Sequence, residues 1–271
     1  MKVAYFTEPS QVNELIEVVK AAGKRMCDAS LDMLEIEEKS GWGDFVTQFD
    51  IQIQSFLYQE LKRLYPEVVF KGEEGGFDDV SVAGPAFIVD PIDGTLNFLR
   101  RRNDCAISVA YAERGETLVG VVYDPWRNEL FQAFKGHGAQ LNGKPIRVSS
   151  WPFTGGLVGI GSSRYRKHRW QETKQLLDIL WQHAVDLRRL GACSIDMCHV
   201  ACGRLDLYCE LEIMPWDYAA GALILEEAGG YCSRLDGKSL SLDHGSSLAA
   251  GNPAAYQEFM DIASDYDFKE P

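Results

Sequence analysis

The chain has 271 residues, 46% hydrophobic and 25% charged, which is typical of a globular protein with one large core or two closely packed halves. Its 27 basic and 40 acidic residues give a formal net charge of −13, which argues against nucleic acid as a principal partner. No stretch reaches the eighteen or so apolar residues of a membrane span, and residues 1–10 lack the apolar run of a signal peptide. We therefore expect a cytoplasmic protein with no membrane contact, whose seven cysteines are mostly reduced and buried.

Residues 1–150 are predicted to form an α+β half that starts with two helices. Apolar residues at helical spacing from Leu15 to Ala29 predict a first helix, capped by Ser10. A second helix is expected from Thr47 to about Tyr65, with Asp50 in a capping-box position. Short turn-like links then predict an antiparallel meander. Its strands are Ala106–Ala112, Leu118–Tyr123 and Leu130–Phe134. Separate strands are expected before it at Val68–Phe70 and Phe87–Asp90, and a hairpin after it at Gln140–Leu141 and Ile146–Val148.

Strands and helices alternate in residues 151–271, which are predicted to form an α/β half. The strands are expected at Leu157–Ile160, Leu205–Glu210 and Leu248–Ala250. The helices are expected at His168–His183, Gly191–Cys202, Pro215–Ala228 and Ala254–Ala263. The whole chain is therefore predicted to be a layered α/β or α+β body, a single domain whose halves meet near residue 150.

One stretch places two carboxylates beside potential anion-binding groups. A buried strand leads into Asp90, which Pro91 holds in an extended conformation. Asp93 follows, and Gly94 permits a turn that can approach a ligand closely. Thr95 can start a helical turn whose free N–H groups face the same point. A divalent cation that bridges to a phosphate would satisfy both features, whereas an ordinary acidic turn remains the alternative.

Other acidic residues could complete such a site. Glu73 follows a short strand, Asp217 lies in the first turn of a predicted helix, and Asp50 lies at another helix start. Glu73 and Asp217 could not share a pocket with Asp90 and Asp93 uncompensated, because like charges raise one another's pKa and destabilise the fold. Bound Mg²⁺ would remove that problem. Alternatively, these acids are unrelated caps and surface groups.

Several sequence blocks together resemble the signature blocks of the inositol monophosphatase family, the lithium-sensitive, magnesium-dependent phosphatases. These blocks are Gly72–Glu74, Asp90–Phe98, Trp216–Gly221, Glu227–Gly230, Lys39–Ser40 with Asp44–Asp50, Gly161–Arg164, and Gly191 with Met197. They follow the family order from about residue 39 to 230. The resemblance implies a layered αβαβα sandwich of the inositol monophosphatase and fructose-1,6-bisphosphatase type, which is usually a homodimer.

The resemblance also implies the role of each site residue. The implied ligands of two or three Mg²⁺ ions are Glu73, Asp90, Asp93, Asp217 and the backbone carbonyl of Ile92. The implied phosphate contacts are the N–H groups of Gly94 and Thr95. Asp50 and Thr95 would form a pair that, with Glu73, prepares the attacking water. The implied contacts to the substrate alcohol are Gly191, Ala192, Cys193, Glu210 and Asp217.

The implied activity is hydrolysis of a small phosphate monoester. Asn97-Phe98 after the Asp-Gly-Thr core favours inositol-type members, so myo-inositol 1-phosphate is the first expectation. The alternatives are fructose 1,6-bisphosphate, a 3′(2′),5′-bisphosphate nucleotide such as 3′-phosphoadenosine 5′-phosphate, and histidinol phosphate. A hypothesis from another class is a metal-binding interaction protein without turnover.

Two features depart from that pattern or admit another interpretation. The family commonly has His and Pro soon after Phe98, where this chain has three arginines, Arg100–Arg102. This run and Arg164–Arg169 could attract a second anionic group, but solvated loops or dimer contacts are favoured. A zinc site would use Cys193, Cys198, Cys202, Cys209 and His199. Buried packing is favoured for them because no close Cys-x-x-Cys pair is present.

Overall fold

The computed structural model describes residues 5–29, 36–38, 45–77, 79–100, 103–162 and 167–271. The α-helices are α1 (Val12–Cys27), α2 (Gln48–Leu64), α3 (Thr95–Leu99), α4 (Trp170–His183), α5 (Cys193–Ala201), α6 (Pro215–Glu227) and α7 (Pro253–Ala263). The strands of the first half are β1 (Ile36–Glu38), β2 (Phe45–Thr47), β3 (Val69–Gly72), β4 (Ala86–Asp93), β5 (Ala106–Glu113), β6 (Glu116–Asp124), β7 (Glu129–Phe134), β8 (Ala139–Leu141) and β9 (Lys144–Pro145). Those of the second half are β10 (Leu157–Ile160), β11 (Asp186–Arg188), β12 (Leu207–Ile213), β13 (Tyr231–Ser233) and β14 (Ser246–Gly251).

The strands form two large sheets and one small ribbon. The seven-stranded sheet has the order β3-β4-β5-β6-β7-β8-β9, and every pair after the parallel β3–β4 pair is antiparallel. The predicted meander is therefore confirmed. The five-stranded sheet has the order β11-β10-β12-β14-β13, with β10 parallel to both of its neighbours. β1 and β2 form the ribbon.

The helices and the two sheets stack in five layers around three cores. Alternation along β4 shows why: Phe87 and Val89 pack with α1 and α2, whereas Ile88 packs with α5 and α6 on the opposite face. The five-stranded sheet covers the far side of α5 and α6, and its own outer face packs against α4 and α7. This arrangement confirms the predicted αβαβα sandwich.

Helix α6 lies between the two sheets and is apolar on nearly all sides. Its residues are buried around the whole circumference, as expected of a central helix. Gly120 on β6 permits the close approach, since a Cβ there would lie 2.6 Å from the carbonyl oxygen of Ala220. Gly221 allows a similar approach to Met197 of α5. The chain enters α6 close to the predicted acidic site.

Some short elements differ from the prediction. The segment Ile146–Val148 is not a strand; β9 ends at Pro145, and the Val148 N–H donates to the carbonyl oxygen of Ala228 at 3.2 Å. The three-residue strands β1, β2, β11 and β13 were not predicted, because they are too short to show a period-two pattern. Residues 39–44, 101–102 and 163–166 lie outside the described residues. In the described part, no helix combines the length and apolarity that a membrane crossing requires.

Candidate metal and phosphate site

The end of β4 contains a bulge that orients two acids. Asp90 pairs with Ser108 and Asp93 with Ala106, so β4 has one more residue than β5 between these pairs. Residues three apart in a regular strand face opposite sides, but the extra residue turns both carboxylates toward α5 and α6. Pro91 lies in the bulge, where its missing N–H breaks no ladder hydrogen bond. The Ile92 N–H donates to Asp90 Oδ1 at 2.9 Å.

Asp217 joins these two acids from the start of α6. Carboxylate oxygens of Asp90, Asp93 and Asp217 all lie within 4.8 Å of one another. As predicted, Pro215 occupies the first helical turn, and Asp217 Oδ2 accepts from the Met214 N–H at 3.0 Å. Asp217 lies 124 residues after Asp93 in the chain, and the packing of α6 on the seven-stranded sheet brings the two into one group.

The electrostatics of this group favour a cation. The pKa of Asp90 is raised well above its usual value. Burial is the largest cause, followed by the negative charges of Glu73, Asp93 and Asp217. The pKa of Asp217 is also raised, mainly by burial and secondly by the negative charges of Asp93 and Glu73. Burial raises the pKa of Asp93 to about 6, against the lowering effect of hydrogen bonds from Ser194 and Cys193. Buried carboxylate oxygens are the ligands that Mg²⁺ prefers, so this donor set fits a divalent metal.

Glu73 lies beside this group without being one of its three members. It follows β3, and its N–H donates to the Val89 carbonyl oxygen at 3.2 Å, across the parallel β3–β4 pair. Its side chain is half-buried. Gln54 of α2 fixes the next residue, because its Oε1 accepts from the Glu74 N–H at 2.9 Å. We did not predict a role for Gln54; the only signal was an amide on the buried face of an otherwise apolar helix stripe.

Gly94 and Thr95 form the turn into the short helix α3. Gly94 has φ +89°, and a Cβ there would lie 2.8 Å from the Asp104 carbonyl oxygen, so glycine is required twice over. Thr95 Oγ1 lies 3.2 Å from both Asp50 Oδ1 and the Ile92 carbonyl oxygen. The structure therefore contains the contact between Asp50 and Thr95 that the resemblance implied.

Asp50 is held rigidly at the start of α2. It is fully buried, and its Oδ2 accepts from the Thr47 N–H at 2.8 Å and from Thr47 Oγ1 at 2.5 Å. Thr47 Oγ1 is in turn the helix cap, within 3.1 Å of the Phe49 N–H. The predicted capping box thus presents the second oxygen of Asp50 to Thr95.

The start of α5 contacts Asp93 from the second half of the chain. Asp93 Oδ1 accepts from the Cys193 N–H at 3.2 Å, and Oδ2 accepts from the Ser194 N–H at 2.7 Å and from Ser194 Oγ at 2.5 Å. Asn97 adds a second link between the two halves of the chain, because its Nδ2 donates to the carbonyl oxygens of Asp104 at 2.7 Å and Leu190 at 2.8 Å. We did not predict Ser194, since nothing in its local sequence marks it as a partner of a residue one hundred positions away.

The implied contacts to the substrate alcohol lie around this same helix start. Gly191 is exposed with φ +88°, whereas Ala192 and Cys193 are buried. Glu210 lies on the neighbouring β12, is 7% exposed, and accepts from the Tyr208 hydroxyl at 2.6 Å. A Cβ at Gly161 of the adjacent strand end would overlap the Glu210 carboxylate, so glycine leaves the space that this side chain fills.

The sequence comparison decides the family. The model of the inositol monophosphatase family matches residues 8–267, nearly the whole chain. The chain belongs to the inositol monophosphatase family. Members of this family are metal-dependent phosphatases, so the protein is a phosphatase that acts on small phosphate substrates, and its structure contains a group of acidic residues that could hold a metal ion.

Individual relatives in the family carry two kinds of name. A protein of Xylella fastidiosa named Nus factor SuhB is 37% identical over 229 residues, which cover 83% of this chain and 82% of that protein. Inositol-1-monophosphatase of Bacillus subtilis is 30% identical over 258 residues, which cover 94% of this chain and 97% of that protein. The family is therefore clear, whereas the names of its members differ.

Solved structures of family members have the same fold. The inositol monophosphatase of Thermotoga maritima superposes with a TM-score of 0.85 at 29% identity, covering 94% of this chain and 97% of that chain. Inositol monophosphatase II of Staphylococcus aureus with inositol monophosphate bound gives a TM-score of 0.80 at 25% identity, covering 94% of both chains. The same enzyme with 2′-AMP bound gives 0.81 at 26% identity, covering 96% and 94%.

Three of the cysteines considered for a zinc site lie in the buried core. All seven are free, and Cys193, Cys198 and Cys209 are buried. Burial raises the pKa of each of these three thiols well above its usual value, which disfavours the thiolate that zinc requires. Within the described ranges, the potential metal-binding group consists of the three aspartates and includes neither these cysteines nor His199.

The two basic stretches differ in exposure where they are described. Arg100 is exposed at the end of α3, as a solvated loop predicts. That prediction is wrong for Arg169, which is 5% exposed. Its Nη1 donates to the Leu211 carbonyl oxygen at 2.6 Å, and its Nη2 contacts Glu172 and the Lys269 carbonyl oxygen. Arg169 therefore anchors the C-terminal segment to the second sheet.

Proposed function

We propose that this member of the family hydrolyses myo-inositol 1-phosphate to inositol and phosphate, with Mg²⁺ as its metal. The observation that carries the proposal is the group of buried Asp90 and Asp93 with half-buried Asp217, next to the Gly94–Thr95 turn. Such a group holds divalent metal and phosphate side by side. The family resemblance supports two or three ions, held also by Glu73 and the carbonyl oxygen of Ile92.

The bound metal supplies charge neutralisation for the phosphate and acidification of a water molecule. The protein's own residues bind and orient the phosphate. The N–H groups of Gly94 and Thr95 point the phosphate toward the carboxylates, because backbone donors at a helix start favour an anion. Gly94 can serve only as glycine, given its positive φ and its contact with the Asp104 backbone.

Asp50 and Thr95 orient the attacking water. A threonine hydroxyl has one proton to donate and two lone pairs to accept with. When Thr95 Oγ1 donates to Asp50 Oδ1, its lone pairs face outward and accept a proton of the water. Asp50 is fully buried and fixed by Thr47, so its acceptor oxygen is in place before substrate binds. Glu73, an implied metal ligand, would help to orient the same water molecule.

The alcohol part of the substrate lies against the start of α5 and β12. Gly191, Ala192 and Cys193 present backbone groups there, and Glu210 presents a carboxylate that accepts hydrogen bonds from hydroxyl groups. Asp217 is also an implied contact of the substrate alcohol. A polyol phosphate suits this acceptor-rich surface better than an apolar alcohol does.

Two lines support inositol 1-phosphate over other phosphates. The B. subtilis relative carries the name inositol-1-monophosphatase, and the S. aureus structure holds inositol monophosphate. Asn97 and Phe98 follow the Asp-Gly-Thr core, as in inositol-type members. The 2′-AMP complex of the S. aureus enzyme keeps nucleotide monophosphates in the test panel. The panel also includes fructose 1,6-bisphosphate, 3′-phosphoadenosine 5′-phosphate and histidinol phosphate.

The test measures phosphate release from each compound with Mg²⁺, using the wild type and Asp93→Asn. We expect the highest kcat/KM for inositol 1-phosphate and no measurable turnover by Asp93→Asn, whose circular dichroism spectrum should match the wild type. Asp265→Asn makes the same chemical change at an exposed position and should retain full activity. A different preferred substrate refutes the inositol assignment, and near-native activity of Asp93→Asn refutes the metal assignment.

The relatives named Nus factor SuhB favour a second candidate, in which the scaffold serves a protein partner. The retained acidic group argues for turnover in addition, because a chain freed from catalysis need not keep it. Capture of a partner that survives Asp93→Asn, with no phosphate release from the panel, supports the second candidate instead. We also propose a cytoplasmic homodimer, which sedimentation of the purified protein tests for its oligomeric state.

A further inference from the structure

The carboxylate of Asp93 is held by three donors from α5. The Cys193 N–H contacts Oδ1, and the N–H and Oγ of Ser194 both contact Oδ2, at 2.7 and 2.5 Å. Both oxygens of the carboxylate therefore have a partner on the same helix. Two anchored oxygens fix the plane of the group, so the lone pairs left for a metal have a fixed direction.

The contact spans the two sheets of the molecule. Asp93 is fixed at its backbone by the β4–β5 ladder of the seven-stranded sheet, through its pairing with Ala106. Ser194 lies in the first turn of α5, which belongs to the layer between the sheets. The positive end of this helix favours a carboxylate at its start. The hydrogen bonds from Cys193 and Ser194 thus connect Asp93, the proposed metal ligand, to the turn at Gly191–Cys193 that is implied to contact the substrate alcohol.

The hydroxyl of Ser194 is shielded from solvent. Ser194 is 0% exposed, so water does not compete for its hydroxyl proton, and the Asp93 carboxylate is its acceptor. A buried hydroxyl bound to a charged acceptor forms a stronger hydrogen bond than a neutral pair does. The two backbone N–H groups would remain if the side chain were removed, so the hydroxyl alone can be tested.

We propose that Ser194 is a positioning residue, which holds Asp93 in the orientation that binds the metal. The inference rests on the proposed role of Asp93 as a metal ligand. Removal of a partner that orients a metal ligand typically weakens metal affinity by roughly 10- to 100-fold. Since two N–H donors remain, we expect Ser194→Ala to raise the Kd for Mg²⁺ by roughly tenfold, at the lower end of that range.

A matched control exists elsewhere in the chain. Ser247 on β14 is also 0% exposed, and its N–H and Oγ both donate to Glu270, at 3.0 and 2.5 Å. Ser247→Ala therefore deletes the same kind of hydrogen bond from the outer region of the molecule, without touching the acidic group. Any loss of Mg²⁺ affinity caused by general loosening of the fold should appear in this variant too.

The experiment measures Mg²⁺ binding by isothermal titration calorimetry on the purified full chain, for the wild type, Ser194→Ala, Ser247→Ala and Asp93→Asn. Steady-state kinetics with inositol 1-phosphate over a range of Mg²⁺ concentrations provide the second readout. We expect Ser194→Ala to need roughly tenfold more Mg²⁺ for half-maximal activity and to regain most of its kcat at saturating Mg²⁺. Ser247→Ala should match the wild type, and Asp93→Asn should not be rescued by Mg²⁺.

Should Ser194→Ala fail to fold, Ser194→Cys is measured in its place, because its thiol leaves no cavity and is only a weak donor. The inference is overturned if the folded variant binds Mg²⁺ as the wild type does, or loses no more affinity than Ser247→Ala. If the wild type itself binds no Mg²⁺ and releases no phosphate, the proposed function fails first, and that result is distinct from a failure of the Ser194 inference alone.

Discussion

The direction of the Asp93 side chain depends on one extra residue in β4. Without the bulge between Asp90 and Asp93, the second carboxylate would face α2 instead of α5. The sequence contained a sign of this in Pro91, since proline within a strand marks an edge or a bulge. The cluster of acids is therefore as much a product of backbone irregularity as of residue type.

Thr95 provides a test of the proposed water-orienting pair. Thr95→Ala removes the hydroxyl that contacts Asp50 and leaves the backbone N–H for phosphate. We expect kcat to fall by at least about 100-fold, as for loss of a group that positions a reacting proton, with little change in KM. Steady-state kinetics on inositol 1-phosphate measure both constants.

Thr95→Ser is the control, because it restores the hydroxyl and deletes only a methyl group. It should retain activity within about tenfold of the wild type. Equal kinetics for the alanine and serine variants would contradict the assignment of the hydroxyl and leave only a structural role for Thr95.

At single residues, the sequence was informative where local pattern and function coincide. Asp50 could be predicted as a capping residue and Gly94 as a turn, because both follow from local backbone chemistry. Ser194 and Gln54 could not, because each acts on a segment that is distant in sequence. Long-range contacts of this kind depend on how the layers pack, which no spacing rule encodes.

At the level of elements, α5 connects the site at its start to an ion pair at its end. His199 in the last turn lies near Arg204, which pairs with Glu129 at 2.7 Å. Burial, then the positive charge of Arg204, lower the pKa of His199 to about 4 from its usual 6.5. The folded protein thus holds His199 neutral, while the unfolded chain protonates it near pH 6.5.

This difference predicts a pH-dependent loss of stability. Because the folded-state pKa is lowered, the contribution of His199 is complete above pH 6.5 and is lost as pH falls toward 4. From pH 7 to 4.5 we expect the free energy of unfolding to fall by about 2 kcal/mol more in the wild type than in His199→Asn. Urea unfolding at each pH measures this, and the exposed His168→Asn should follow the wild type. If the free energy of unfolding depends on pH in the same way in all three proteins, the prediction is refuted.

Long elements were predicted well, and short ones were not. The helices and the central strands have enough residues to show a period, so α1, α6 and β5 lie within a few residues of their predicted bounds. The strand β11 has three residues with alternating exposure at a sheet edge, and its pairing with β10 decides its structure. Such elements are defined by their neighbours, so the sequence of the segment alone was insufficient.

The whole molecule joins its two halves through a shared core. The strands of the seven-stranded sheet all precede residue 150 and those of the five-stranded sheet follow it, yet α5 and α6 pack against both. The acidic group lies where this shared layer meets the end of β4. Assembly of the group therefore depends on the packing of the entire sandwich, and its charge should in turn affect the stability of the entire sandwich.

Metal removal and pH should consequently act together on global stability. The pKa of Asp93 is raised to about 6, and those of Asp90 and Asp217 are raised as well, so the metal-free folded state binds protons more tightly than the unfolded chain. A raised carboxyl pKa means that stability is lost as pH rises from near 3.8 through about 6. Mg²⁺ should reverse this loss, since it binds the ionised carboxylates of the folded state.

We expect the rise in Tm caused by Mg²⁺ to be clearly larger at pH 7.5 than at pH 5.5, because protons compete with the metal at the lower pH. Differential scanning calorimetry of the full chain, in chelator or in Mg²⁺, measures the rise at each pH. Sodium chloride at equal ionic strength controls for screening. Asp90→Asn removes one of the three charges and should stabilise the metal-free protein at pH 7.5 while it weakens the response to Mg²⁺. An equal response to Mg²⁺ at both pH values would show that these carboxylates do not bind the ion.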